Sequence, residues 1–345
     1  MNNSTSDYFI TLSNKLAETN TVVVITSKVR KTQIVLNEDV VLLKWPSKRP
    51  TKWRDFWFLY GLVRKYKPEL MISMFSSVNL FLIVGWIHRV EKRVSWIRTL
   101  STQYSQNNFK VYRKSFIYGL ATDIITNSLA TKDDASTFFS IPETKITVLP
   151  NSVKDYSVVL DGINTCKNKL LYVGRLHPSK GVDILLHAFA QIAKEFPNVT
   201  LDIIGNGYIL NDLKSLTIAL EVSDKVTFLG EKNKEVVLRA YKQSYCTIVP
   251  SNSEAFGFTL IEAMSSGTCV IGANNTGIKE IIINGESGLL FETGNSVDLK
   301  TKLKQILLDE NLRNDLAKSG YIRFLKYYEN SIAINRDVDF FKNLS

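Results

Sequence analysis

In the second half of the chain, short apolar runs alternate with longer amphipathic stretches. The runs at 169–174, 199–205, 225–230, 245–250, 268–273 and 288–291 are rich in valine and isoleucine. This is the pattern of parallel strands buried on both faces, not the in–out alternation of a half-exposed sheet. Between the first two runs lies V-D-I-L-L-H-A-F-A-Q-I-A-K-E-F, where Leu185, Phe189, Ile192 and Phe196 recur every three to four residues and Pro197 ends the stretch. That spacing predicts an amphipathic helix. Repeated strand–helix alternation predicts a doubly wound α/β sheet, whose ligands sit beyond the carboxyl ends of the strands.

The first half is less regular. F-I-T-L-S-N-K-L-A predicts an opening helix, and T-V-V-V-I-T, E-L-M-I-S-M-F, R-V-S-W-I-R-T, T-D-I-I-T-N-S and K-I-T-V-L-P-N-S-V predict strands. A chain of 345 residues exceeds one ordinary core. Two domains are therefore expected, with boundaries at 1–153, a polar linker at 154–168, a second domain at 169–325 and an aromatic-rich tail at 326–345.

Charge separates the halves further. The net charge is +10, and residues 1–150 hold 21 Lys and Arg against 11 Asp and Glu, whereas the remainder holds 22 of each. An anionic partner is expected for the first half alone. That half contains K-W-P-S-K-R-P-T-K-W-R-D-F-W-F-L-Y-G-L-V-R-K-Y-K-P at 44–68, in which tryptophans and basic residues interleave. Such a segment suits peripheral contact with an anionic membrane, or equally an amphipathic helix covering the first sheet. Nucleic acid is not expected, because no nucleic-acid module is recognisable. The most apolar run, Phe81 to Ile87, is far short of the ~20 residues that span a bilayer. No signal peptide is evident, and Cys166, Cys246 and Cys269 show no paired spacing, so a cytoplasmic protein is expected.

The densest chemistry lies at 254–262, E-A-F-G-F-T-L-I-E, between the strand C-T-I-V-P-S and the run C-V-I-G-A. A helix beginning near Phe258 presents its first backbone amides to a phosphate. Glu254 in the turn and Glu262 in the helix are placed to read hydroxyls on either side, and Gly257 allows a ligand to approach the backbone. Arg175 and Lys180 follow a strand end and suit a diphosphate. Phosphate donors between two hydroxyl-reading carboxylates are what a nucleotide-sugar requires.

This stretch resembles the E-x7-E motif of retaining glycosyltransferases of the GT-B fold, family 4. L-L-Y-V-G-R-L-H-P-S-K-G at 170–181, I-I-G-N-G at 203–207, and T-G-I-K-E-I-I-I-N-G-E-S-G-L-L from Thr276 are similar to further family motifs, in the same order. The resemblance implies two Rossmann-like domains facing a central cleft, the last helix packing back on the first domain. It implies transfer of a sugar, with retention, from a UDP- or GDP-sugar to a glycan acceptor, without metal or other cofactor. A lipid-linked acceptor in surface-polysaccharide (O-antigen or capsule) synthesis at the inner membrane face would fit the basic half. By the same resemblance, Arg175 and Lys180 would stabilise the departing diphosphate and Glu254 would contact the donor sugar, giving three catalytic candidates. Gly174, Gly205, Gly207, Glu231, Lys232, Phe256, Gly257, Phe258, Thr259 and Glu262 would bind the donor, with Glu262 at the ribose; Glu280 is a weaker candidate.

Two departures from the family pattern stand out, beside one misleading motif. The family's first strand and glycine-rich turn are missing, so either the true start lies upstream of Met1 or the first domain is trimmed. The family's first-domain histidine is replaced near Arg98 and Thr99, and among His88, His177 and His187 only His177 is expected near the site; no general base is assigned. Asp337 and Asp339 form an Asp-x-Asp outside any strand-end loop and read as a surface pair. The missing strand and the missing histidine keep open an alternative, a non-catalytic nucleotide-sugar-binding or scaffolding subunit.

Overall fold

The computed structural model describes residues 4–27, 35–49, 51–101 and 108–344. By packing, the chain divides into two units, one running to Asn151 and resuming at Ala333, the other spanning Ser152–Ile332. The first contains α1 (Ser4–Ala17), β1 (Val22–Thr26), β2 (Val40–Lys44), α2 (Trp53–Tyr66), β3 (Leu70–Met74) and α3 (Val78–Ile87). It continues with β4 (Lys92–Ile97), α4 (Asn108–Gly119), β5 (Asp123–Thr126), α5 (Leu129–Phe139) and β6 (Ile146–Val148). The second contains β7 (Lys169–Val173), α6 (Val182–Glu195), β8 (Thr200–Ile204), α7 (Leu210–Ala219), β9 (Val226–Gly230) and α8 (Lys234–Gln243). It goes on through β10 (Cys246–Val249), α9 (Phe258–Ser265), β11 (Val270–Ala273), α10 (Ile278–Ile281), β12 (Leu289–Phe291), α11 (Ser296–Leu308) and α12 (Glu310–Tyr327). The last helix is α13 (Asn330–Leu344).

The second unit is a parallel sheet of order β12-β11-β10-β7-β8-β9. The chain starts at the central β7, moves outward to β9, then returns to the other side of β7 with β10. The direction of winding therefore reverses between β7 and β10, and a crevice opens there at the carboxyl ends of the strands. Every residue of β10 and β11 is buried, because helices cover both faces. Phe189 of α6 and Phe324 of α12 are fully buried in that core. The expected linker at 154–168 also packs here: Leu160 is buried and the Cys166 amide donates to the Gln243 carbonyl.

In the first unit, β3-β4-β5-β6 form one parallel sheet and β1-β2 a separate parallel pair. β2, V-V-L-L-K, was not anticipated from the pattern; its only fully buried residue is Val40. α13 packs here, Val338 and Phe341 joining Tyr8, Leu12 and Trp96 in one cluster. This packing corrects the reading of Asp337 and Asp339 as a surface pair. Two residues on a helix lie about 200° apart, so only one can face outward. Asp339 does; Asp337 is fully buried, ion-paired to Arg336 at 2.7 Å and accepting the Tyr8 hydroxyl. Tyr8→Phe should cost about 1–3 kcal/mol in urea unfolding, since it strips a donor from a buried carboxylate. An unchanged midpoint would mean that Arg336 alone satisfies Asp337.

α2 covers the first unit's core, as one of the two readings of 44–68 expected. Its Leu59 and Val63 are buried against Trp45 and Met71, while Trp53 and Trp57 are 78% and 62% exposed. Among the described residues, no helix is long and apolar enough to cross a membrane.

Candidate functional site

The reversal in the second sheet brings the segments after β7 and β10 side by side. Lys180 and Glu254, 74 positions apart, meet there at 2.6 Å between Nζ and Oε2. Their side chains are only 17% and 21% exposed. The close approach depends on Gly181, at φ 61°: a Cβ there would stand 2.1 Å from the Pro250 carbonyl oxygen. Asn252 ties the same two loops, its amide donating to the Ser179 carbonyl at 2.9 Å. Arg175 lies exposed at the mouth of this crevice, its carbonyl held by the Tyr172 hydroxyl at 2.9 Å.

The G-x-G loop after β8 closes against the same strand end. The Gly174 amide donates to the Ile204 carbonyl and the Leu176 amide to the Asn206 carbonyl. Cβ atoms on Gly205 and Gly207 would fall 1.8 Å and 1.9 Å from the Gly174 and Leu176 oxygens. Backbone crowding alone therefore accounts for both glycines. Glu231 and Lys232 follow the edge strand β9, joined to this region through the Gly205 amide and the Gly230 carbonyl.

After β10 the chain turns through Gly257, whose φ of 112° disfavours any side chain, and enters α9 at Phe258. The helix N-terminus thus faces the carboxyl ends of the central strands, a favourable place for an anion. Phe256 points the other way. Its ring is 4% exposed and packs edge-on to Phe258 and Tyr328, so only its backbone stands in the turn. Thr259 bonds the Val173 carbonyl at 3.4 Å, pinning α9 to β7. Glu262, half-buried, accepts from the Tyr241 hydroxyl at 3.5 Å.

Three contributors escaped the sequence reading. Tyr172 and Tyr241 lie buried beneath the carboxylates. Burial, with Glu254 near one phenol and Glu262 near the other, pushes both well above the ordinary tyrosine range and keeps them neutral donors. Gly277 lets the loop after β11 touch the Glu254 backbone, where a Cβ would be 2.3 Å from the Glu254 oxygen. Tyrosines inside apolar runs carry no signal separating them from core residues; Gly277 sat in a recognised stretch but its contact is tertiary. Among the histidines, His187 bonds the Asp183 carbonyl of its own helix, whereas His177 packs edge-on to Tyr208 near Arg175. Arg98, in the first unit, is half-buried, stacks on Phe9 and Trp96 and bonds Asn151; desolvation of its guanidinium lowers its pKa to about 10.

Comparison with known proteins decides the family. The model for Glycosyltransferase Family 4 matches residues 6–155, and that for Glycosyl transferases group 1 matches residues 161–323. An uncharacterized glycosyltransferase of Haemophilus influenzae is 31% identical over 257 residues, 74% of this chain and 71% of that protein. The chain belongs to the glycosyltransferases. An uncharacterized glycosyltransferase of Methanocaldococcus jannaschii is 28% identical over 218 residues; the match covers 58% of this glycosyltransferase but only 56% of the relative's length. Anabaena HepE, solved in complex with UDP, superposes with a TM-score of 0.77 at 16% identity, covering 99% of this chain and 98% of that one. That likeness is one of fold: this glycosyltransferase has the GT-B architecture of two Rossmann-like α/β domains.

Proposed function

We propose that this glycosyltransferase moves a sugar from a UDP- or GDP-type donor to a glycan acceptor, with retention and without metal. The observation carrying this reading is the Lys180–Glu254 pair, held where the sheet reverses direction beside Arg175 and the start of α9. In the reaction, the bond from the anomeric carbon to the diphosphate breaks and the acceptor oxygen bonds that carbon on the same face. The acceptor's proton passes to the departing phosphate oxygen. Arg175, Lys180 and the α9 amides offset the charge growing on that phosphate. Glu254 holds Lys180 and accepts from donor-sugar hydroxyls; Glu262 does the same at the ribose. Glu231 and Lys232 border the base, and Gly174, Gly205, Gly207, Gly257, Phe258 and Thr259 shape the phosphate cradle.

HepE has been solved with UDP and with UDP-glucose, which favours uridine as the first base to test. The +10 charge concentrated in the first half, with Trp53 and Trp57 exposed, favours an acceptor on a lipid pyrophosphate at the inner membrane face, in surface-polysaccharide synthesis.

The test is thermal unfolding with UDP, GDP, ADP and their sugar conjugates in the presence of chelator. A ligand at about 100 times its Kd should add about 2.7 kcal/mol of stability. A shift with one diphosphate, lost in Arg175→Ala, is the expected result; no shift with any of them would overturn the donor assignment.

A further inference from the structure

In the first unit, α4 reads N-F-K-V-Y-R-K-S-F-I-Y-G, and both of its sides carry large apolar groups. Inward, Ile117 and Tyr118 are buried, and Val111 packs with them in a cluster shared with α3 and α5. Outward, Phe109, Tyr112 and Phe116 are 74%, 74% and 64% exposed. At about 100° per residue these three fall within about 60° of arc, on one ridge about 10 Å long. Single apolar side chains on a surface need no explanation, but a ridge of three aromatic rings marks a contact surface.

Charge follows the same ridge. Lys110 and Arg113 are exposed and flank the rings on one side. With Lys114 they give α4 three cations and no acid. Helix stability does not ask for this, since Lys110 lies in the first turn, where the macrodipole disfavours a cation. Lys114 has a role within the fold, half-buried and donating to the Asn79 side chain at 3.0 Å. The strand order β3-β4-β5 with crossover helices puts α3 and α4 on one face of the sheet, and α3 packs against both α2 and α4. The exposed Trp86 of α3 and the exposed tryptophans of α2 therefore belong to the same layer as the ridge.

We propose that the outer ridge of α4 docks on an anionic lipid bilayer, with Phe109, Tyr112 and Phe116 at the boundary of headgroups and acyl chains and Lys110 and Arg113 on the headgroups. This rests on the membrane reading proposed for the first half and names the element that carries it. Charge complementarity selects the occupant. Residues 1–150 hold 21 Lys and Arg against 11 Asp and Glu, and α4 holds no acid, which favours an anionic surface over a protein face of mixed charge. Aromatic rings with a basic flank are the composition of helices that lie in the membrane plane. At 12 residues α4 is about 18 Å long, too short for the ~30 Å hydrocarbon core, so it lies along the surface. Binding strength follows the apolar area buried plus the attraction to anionic lipid, so each contribution is separately removable.

Flotation of the full chain with phosphatidylcholine vesicles, with and without phosphatidylglycerol, tests this. The protein should float with the anionic vesicles and not with the neutral ones. The double variant Tyr112→Ser, Phe116→Ser should partition at least about 10-fold more weakly, from the apolar area it removes. The double variant Lys110→Gln, Arg113→Gln should lose about 25-fold at low salt, about five-fold for each basic residue. Both should keep the wild-type melting temperature and the shift with UDP, because the changed side chains are exposed. Failure of the anchor is thereby separable from failure of the donor site, and the vesicles hold no glycan acceptor. A wild-type protein that ignores anionic vesicles would overturn the proposal. Undiminished binding of the Tyr112, Phe116 variant would overturn the assignment to α4. Self-association of the wild type that this variant loses, without vesicle binding, would overturn it in favour of a protein–protein face.

Discussion

Glu254→Ala should lower turnover by about 10²–10³-fold, the usual cost of removing one group that acts on transition-state charge. The loss has two sources. The carboxylate is expected to accept from the donor sugar, and it also fixes Lys180, which it meets at 2.6 Å. Without it, the ammonium group is no longer aimed. Lys180→Ala should therefore lose activity too, and the double variant should lose little more than the worse single one, because coupled residues are non-additive. The pair retains some solvent contact, at 17% and 21% exposure. Breaking it should thus cost about 1–2 kcal/mol, less than the ~3–5 of a fully buried pair. Steady-state kinetics with the donor found by thermal unfolding, beside circular dichroism, check this. Near-normal turnover in folded Glu254→Ala would remove Glu254 from the mechanism and revive the scaffolding alternative.

Gly205→Ala should be the most damaging single methyl in the second unit. The residue sits at φ 141°, which costs an L-residue about 1–3 kcal/mol in strain. The added Cβ would also fall 1.8 Å from the Gly174 oxygen, a backbone atom with no rotamer to escape through. Either the loop after β8 moves away or β7 gives way at its end. The loop should move, breaking the hydrogen bonds at Gly174 and Leu176 and displacing Arg175. Thermal unfolding should fall by several degrees and donor binding should weaken more than stability does. Gly285→Ala is the control: it has positive φ but open space around its Cβ, and should show strain alone. Equal effects at both positions would refute the crowding argument.

Much of the second unit was legible because its strands are buried on both faces and its helices on one. Burial writes a local pattern, so six apolar runs mark six strands and each lies where its run predicted. The first unit was harder for the same reason reversed. β2 is buried at only one residue, so its run carries a weaker signature and was missed, whereas the V-V-V-I of β1 was read although none of its residues is fully buried. Asp337 misled because a polar residue in a polar-looking tail gives no local sign that Arg336 and Tyr8 will satisfy it in the core.

By itself, the chain's sequence determined the strand–helix alternation, the turn at Gly257, the charge asymmetry between the halves and which residue types stand at the strand ends. These depend on neighbours a few positions away. Tertiary structure alone decided that Lys180 and Glu254 would share a proton-bearing contact, that Phe256 would face inward, that Tyr172 and Tyr241 would underlie the carboxylates, and that Gly205, Gly207 and Gly277 would be spacers between loops. All of these arise from segments far apart in the chain. The order in which the strands are laid down brings them together, and a one-dimensional pattern does not record that order.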